Sequence, residues 1–264
     1  MPQASIGIAI TTYNRREQLL KLVASIREHC TRPVHLAVFD DGSRDGSVAA
    51  VAPLGDMVLE APNGGIPVNK NRALFYFLAL RPVEQLILLE DDVVVTSRRW
   101  LRLWSRAIRR HGHINFSSPR WPRHNPHFHG RLLGGKGTAR SPERWSIVSG
   151  ACCGCDTAVL RQQVGYVNPR FQGYGYEHIE WTRRFLRAGY GGCQRSEHRW
   201  SYLSLPHGLA FQESVSNRDA EAIARNAAVM AELQGAGGFV PRPWLDDEER
   251  KRFLAPFARW FSPG

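Results

Sequence analysis

Leu86-Ile-Leu-Leu-Glu-Asp-Asp-Val-Val-Val95 sets four apolar residues ahead of three acids, with three valines behind them. Short apolar runs rich in branched side chains read as buried strands. Three adjacent carboxylates at the end of such a strand repel one another and resist desolvation. A divalent cation would remove that penalty, and oxygen ligands suit Mn²⁺ or Mg²⁺. On this stretch alone the competing reading is a strand that ends in a solvated acidic turn.

Working outward toward the N-terminus, Ile6-Gly-Ile-Ala-Ile10 reads as a strand, and Thr11-Thr-Tyr-Asn14 follows as a polar turn. Asn14 is placed to cap the next helix. Leu19, Val23 and Ile26 then recur at helical spacing. A second strand, Val34 to Phe39, ends in Asp40-Asp-Gly-Ser43, and Met57 to Leu59 forms a minor third. Asn63-Gly-Gly-Ile-Pro-Val-Asn-Lys-Asn-Arg72 is a glycine-rich turn that enters a helix through Leu80. Such helix starts suit phosphate, and Lys70 and Arg72 add positive charge. Strand, helix and strand with polar strand ends make a βαβ unit, whose ligand crevice lies beyond the carboxyl ends of the strands.

Toward the C-terminus, Ser97 is placed to cap a helix running to about Arg110, and Ile114 to Ser118 reads as a strand. Pro119 to Trp145 is irregular and rich in Pro, Gly, His and Arg, a composition of functional or mobile loops. His124, His127 and His129 within it read as polar surface, with metal binding as the alternative. A strand is expected over Ser146–Cys153, a helix near Thr157–Val164, and another starting near Tyr176. On that last helix Glu177, Glu180 and Arg184 share one face, while Trp181, Phe185 and Ala188 line a buried one. A polar helix is expected from Gln212 to Leu233. In the tail, Trp244 to Phe261, four aromatic residues fall at helical spacing and predict docking against the domain. The acids Asp246 to Glu249 weaken a membrane-bound alternative.

The chain of 264 residues suits one large α/β domain. We expect that domain over 1–235, with a donor half at about 1–118, an acceptor half at about 119–235, and a helical tail at 236–264. Thirty-five basic against 24 acidic residues leave a net charge of +11. This surplus favours an anionic partner such as a nucleotide diphosphate or an anionic glycolipid; without a long basic tail, nucleic acid is not expected. Five cysteines, an odd number, argue against a disulfide framework. The spacing of Cys152, Cys153 and Cys155, with Cys193 as a fourth ligand, does not match a zinc knuckle. No apolar run approaches the roughly 20 residues of a membrane span. Met1-Pro-Gln-Ala-Ser5 lacks the basic start of a secretory signal. The expectation is a cytoplasmic protein, with peripheral contact at the inner face of a membrane left open.

The motifs Thr-Thr-Tyr-Asn, Asp-Asp-Gly-Ser, Asn-Gly-Gly…Asn-Lys-Asn-Arg, Glu-Asp-Asp, Ser-Gly-Ala and Gly-Tyr-Gly-Tyr-Glu-His-x-Glu occur in this order. In that order they resemble the family 2 glycosyltransferases over about residues 5–210. The resemblance implies a GT-A fold, a Rossmann-like α/β domain with a central, mostly parallel sheet flanked by helices. It implies an inverting, metal-dependent transfer of a sugar from a nucleotide diphosphate, with uridine favoured, to a glycan, glycolipid or related hydroxyl acceptor. By the resemblance, Thr11 and Tyr13 border the nucleobase and Asp41 accepts the ring N–H, while Asp40 supports the turn. Lys70 and Arg72 lie near the donor phosphates. Asp92 binds the metal directly with His207, and Glu90 and Asp91 contact ribose or the metal through water. Glu177 and His178 act on the acceptor. His178 stands where the family usually has a second acid, so the proton acceptor is unassigned between the two. The alternative is a non-catalytic nucleotide- or glycan-binding module on the same fold.

Overall fold

The computed structural model describes residues 5–118, 130–197, 199–213, 219–233 and 238–261. Four parallel strands open the chain: β1 (Ile6–Thr12), β2 (His35–Asp40), β3 (Met57–Glu60) and β4 (Gln85–Glu90). Every residue of β1 is buried, as expected of a central strand covered on both faces. Between these strands run α1 (Arg16–His29), α2 (Ser47–Val51) and α3 (Gly65–Phe75), the last continuing as a π-turn over Tyr76–Leu80.

After β4 the acids form a turn and β5 (Val93–Val95) leaves the sheet. Then come α4 (Trp100–His111), β6 (His113–Phe116), β7 (Leu132–Gly134), β8 (Glu143–Trp145) and β9 (Cys152–Asp156). A short α5 (Thr157–Val159) passes into a second π-turn, Leu160–Val164. It is followed by α6 (Glu177–Arg187), β10 (Gly192–Ser196), β11 (Arg199–Leu205), β12 (Leu209–Phe211), α7 (Ala220–Glu232) and α8 (Asp247–Leu254), with a 3₁₀ turn over Ala255–Trp260.

The main sheet has the order β3-β2-β1-β4-β9-β6-β11-β8-β7, with β10 on β11. It is parallel from β3 to β4 and mixed beyond, because β9 runs antiparallel to both β4 and β6. The strand order reverses between β1 and β4, which is where open α/β sheets place their ligands. β5 and β12 form a separate antiparallel ribbon.

Two apolar layers sandwich the sheet. On one face α1 contributes Leu19, Leu22, Val23 and Ile26, and α4 contributes Trp100, Trp104 and Ile108. On the other, Leu74 and Phe77 meet Trp181 and Phe185 of α6, and Phe253 and Phe257 of the tail. The tail therefore docks: Phe257 is fully buried, with its ring centroid 5.2 Å from that of Phe75. Among the described residues no helix is long and apolar enough to cross a membrane.

Several local expectations are corrected. Asn14 does not cap α1; its side chain accepts from Arg44 N, and the carboxylate of Asp45 accepts from Arg16 N instead. A distant loop thus supplies the cap. Ser97 sits ahead of α4, its hydroxyl accepting Arg99 N and its carbonyl Trp100 N, and the residue at the cap position is Arg99. The strand expected over Ser146–Cys153 begins only at Cys152; residues 146–151 are bends and irregular backbone, with Gly150 beside Glu90 and His178. Cys152 and Cys155 are buried in β9, and Cys193 is exposed on β10, with β6 and β11 between. These cysteines do not converge. His124, His127 and His129 lie outside the described residues.

Candidate active site

The strand register builds one edge of the site. Thr11 of β1 sits beside Glu90 of β4, and Thr12 beside Asp40 of β2. Asp40 Oδ1 accepts Gly42 N and Ser43 N, so this acid holds the turn. A cavity of about 260 Å³ opens over the edge, with Thr11, Tyr13, Arg15, Asp41, Asp92 and Tyr174 in its wall.

The three acids after β4 have different surroundings. Glu90 Oε1 is 2.7 Å from Lys70 Nζ. Asp91 accepts the Thr12 hydroxyl at 2.7 Å and Arg15 Nη1 at 3.1 Å. Asp92 Oδ1 is buried and has no hydrogen-bond partner among the described residues. Burial, then repulsion from Glu90 and Asp91, pushes the Asp92 carboxyl up to about 7. Gln212 fixes the turn that presents it: its backbone N–H donates to Asp92 O, and its Nε2 donates to the carbonyls of Asp91 and Val93. An orphaned oxygen on an acid that resists ionisation fits a hard divalent cation, which would satisfy both. Among the described residues no three His, Cys, Asp or Glu side chains converge to hold a metal.

His207 is not brought to Asp92. β5 and β12 pair with Leu209 opposite Val95 and Phe211 opposite Val93, and Gly208 O accepts Thr96 N. Gln212 therefore stands beside Asp92, and His207 falls at the other end of the ribbon, near Ser97. There it lines a different, arginine-rich groove. The ribbon register, invisible in the spacing of the residues, removes it from the acid cluster.

Lys70 and Arg72 occupy the buried face of α3 and are neutralised inside the protein. Arg72 Nη1 lies 2.7 Å from Asp41 Oδ1. Asp41 also accepts Gly64 N and Gly65 N, so most of its acceptor capacity is used internally. Burial still pushes Asp41 above the ordinary range, against those three donors. Lys70 bridges Glu90 at 2.7 Å and Glu177 at 3.1 Å. Burial disfavours its charge, but the two carboxylates outweigh burial and hold Lys70 firmly protonated. The lysine thus ties the end of β4 to the start of α6. The cation that does reach the cavity wall is Arg15, directly after Thr-Thr-Tyr-Asn.

α6 begins at Glu177, after Tyr176 in a left-handed conformation at φ 71°. A non-glycine residue seldom adopts this geometry, and here it aims the first turn at the strand ends. Glu177 is 2% exposed. Burial works to raise its carboxyl, but Lys70 and His178 overcome burial and hold it far below the usual range. His178 Nδ1 lies 3.4 Å from Glu177 Oε1. A β-carbon added at Gly150 would stand 3.2 Å from both Glu90 Oε1 and the His178 ring. Glycine in Ser149-Gly-Ala is what lets the acid strand and the imidazole approach. Thr12, Arg15, Gln212 and Gly150 are the site residues that sequence reasoning missed. Thr12 and Gly150 lie inside recognised motifs, and Arg15 directly follows one; Gln212 carried no local signal.

The sequence profile described as glycosyl transferase family 2 matches residues 7–163. The chain belongs to glycosyl transferase family 2. Its activity class is therefore glycosyl transfer, and its fold is GT-A. A mannosyltransferase from Pyrobaculum calidifontis, in complex with GDP-Man and Mn²⁺, is similar at TM-score 0.58 and 16% identity over 100% of this chain and 76% of that one. Glucosyl-3-phosphoglycerate synthase from Mycobacterium tuberculosis, in complex with Mn²⁺, UDP and phosphoglyceric acid, gives 0.55 and 15% over 90% and 80%. Residues 1–349 of S. aureus TarS give 0.52 and 14% over 97% and 71%. At these identities the likeness is one of fold. A search among curated proteins returns no match. Within the family-2 domain, the matched segment spans the acid turn and β9 and ends before α6. Glu177 and His178 therefore stand outside it.

Proposed function

We propose that this family 2 enzyme transfers a sugar from a nucleoside diphosphate, with uridine the favoured base, to a hydroxyl of a glycan, glycolipid or related acceptor, with inversion. The observation that carries the reading is Asp92. It alone of the three acids keeps a buried, unpartnered oxygen, and it faces the cavity of β1 and β4. Asp92 would hold Mn²⁺ or Mg²⁺, with donor diphosphate oxygens and water completing the set. When bound, the cation would neutralise charge developing on the leaving diphosphate. Tyr13 and Thr11 would border the base, with Asp41 at its ring N–H. Arg15 takes the phosphate-facing role that the resemblance gave to Lys70 and Arg72.

Of the two groups left open by the sequence, His178 is the proton acceptor in this reading. Glu177 is already committed to Lys70, and a carboxylate held so firmly ionised is a weak base. With its Nδ1–H on Glu177, His178 keeps Nε2 as an acceptor for the incoming hydroxyl. The acceptor oxygen bonds to the anomeric carbon, the bond from that carbon to the phosphate oxygen breaks, and the hydroxyl proton passes to Nε2. Glu177 then serves as a positioning group.

Calorimetry with UDP and Mn²⁺, followed by a donor-hydrolysis screen, tests this. UDP binding that requires Mn²⁺ and is lost in Asp92→Ala is the expected result; binding indifferent to that change would refute it. Binding with no turnover that depends on His178 would leave the non-catalytic module instead.

A further inference from the structure

The inner face of α4 is buried, whereas Arg102, Arg106, Arg109 and Arg110 are exposed on its outer face, with Arg99 just ahead of the helix. These side chains form one wall of a groove of about 1130 Å³. Arg140, with Thr138 and Ala139, forms the facing wall, and His207 and Gly208 close one end. The facing loop is anchored: Ala139 O lies 3.1 Å from His111 Nε2, and Thr138 N donates to Ser141 O. Six guanidinium groups therefore share one concave surface. No carboxylate lines it, and none of the six forms an ion pair among the described residues.

Like charges gathered this way, without counter-charge, repel one another and lower the stability of the empty site. Arginine in particular presents a planar fork that matches phosphate oxygens. The large apolar side chains that are exposed, such as Leu132, Phe239 and Phe261, are not in the groove. A membrane-inserting surface needs such side chains beside its cations. A helix of this length presents a strip about 18 Å long. That is room for a chain with spaced charges rather than a single ion.

The position is also informative. β9 is antiparallel to both β4 and β6, and β6 is parallel to β11. The carboxyl ends of β4, β6 and β11 thus lie along one edge of the sheet. His207 follows β11 directly, and Gly208 packs on Trp100 at the start of α4. The groove opens at the edge that carries Glu90, Asp91 and Asp92.

We propose that this groove binds a linear polyanionic strand other than a nucleic acid, phosphate-bearing at several positions, and that the strand is the remote part of the acceptor. The acceptor role rests on the transferase reading above; the binding site does not. The test is calorimetric titration with linear polyphosphate. It uses wild type, Arg102→Glu/Arg106→Glu, and a charge-matched control, Arg195→Glu/Arg252→Glu, with both control residues exposed and elsewhere. The groove variant is expected to bind about tenfold or more weakly. The control should stay within about twofold, and salt should weaken wild-type binding. Equal loss in the control, unchanged binding in the groove variant, or no wild-type binding overturns the proposal. Tighter groove-dependent binding of phosphatidylglycerol–phosphatidylcholine vesicles, or of an RNA oligomer, overturns it in favour of that partner. UDP and Mn²⁺ titrations on the same variants should be unchanged. If UDP fails to bind while polyphosphate binding still depends on the groove, the transferase reading falls and the site stands.

Discussion

Replacing Asp92 by asparagine is expected to make the metal-free protein more stable while removing its response to Mn²⁺. The carboxyl rises from an ordinary 3.8 to about 7 because burial and the charges of Glu90 and Asp91 oppose ionisation. At about 1.4 kcal/mol per pH unit, the ionised form is destabilising by at most about 4 kcal/mol. Water reaches this half-buried group, so about 2 kcal/mol is the working figure. The sign follows from proton linkage. Between about 4 and 7 the folded state holds a proton that the unfolded chain has lost, so wild-type stability falls as pH rises through this window. Asparagine removes the fall. Its advantage should be full above pH 7, shrink as pH drops toward 4, and vanish below. For a chain of this size, about 2 kcal/mol corresponds to a rise in Tm of about 4–8 °C. Thermal unfolding in chelator at pH 8 and pH 5, repeated with Mn²⁺, reads both effects. Wild type should gain stability from Mn²⁺, and the asparagine variant should not. A variant no more stable than wild type at pH 8, and still stabilised by Mn²⁺, would refute the assignment of Asp92.

Wild-type Mn²⁺ affinity should fall as pH drops below about 7, by about tenfold per unit at most, since a proton competes for the same oxygen; calorimetry at several pH values measures it. Lys70→Met should destabilise by about 3–5 kcal/mol, because Glu90 and Glu177 are left facing each other without a cation. Adding Glu177→Gln should recover part of that loss in denaturant unfolding. His178→Ala should lower kcat by about 10²–10⁴ while leaving the Kd for UDP and Mn²⁺ unchanged; a loss of UDP binding instead would assign His178 to the donor. Phe257→Ala should cost about 3–5 kcal/mol in chemical denaturation, since its ring is wholly buried beside Phe75.

The amino-acid sequence by itself determined the strand-end motifs, their order and the α/β class. Alternating apolar runs and polar turns are local patterns, and local physics reads them. It also marked Glu90-Asp91-Asp92 as a place where charge is concentrated at a strand end. It did not say which acid is left free. That choice was made by partners far away in the chain: Lys70 on Glu90, and Thr12 and Arg15 on Asp91. The same holds for the base. Glu177 and His178 look equivalent in a turn motif until Lys70 neutralises one of them. Gln212 rather than His207 stands beside Asp92 because ribbon register, which follows from pairing between β5 and β12, decides it. The arginines of α4 share one groove with Arg140 and His207, which lie far from them in the chain. Charge neutralisation, strand register and concavity each require two segments to meet, so only the tertiary structure could decide them.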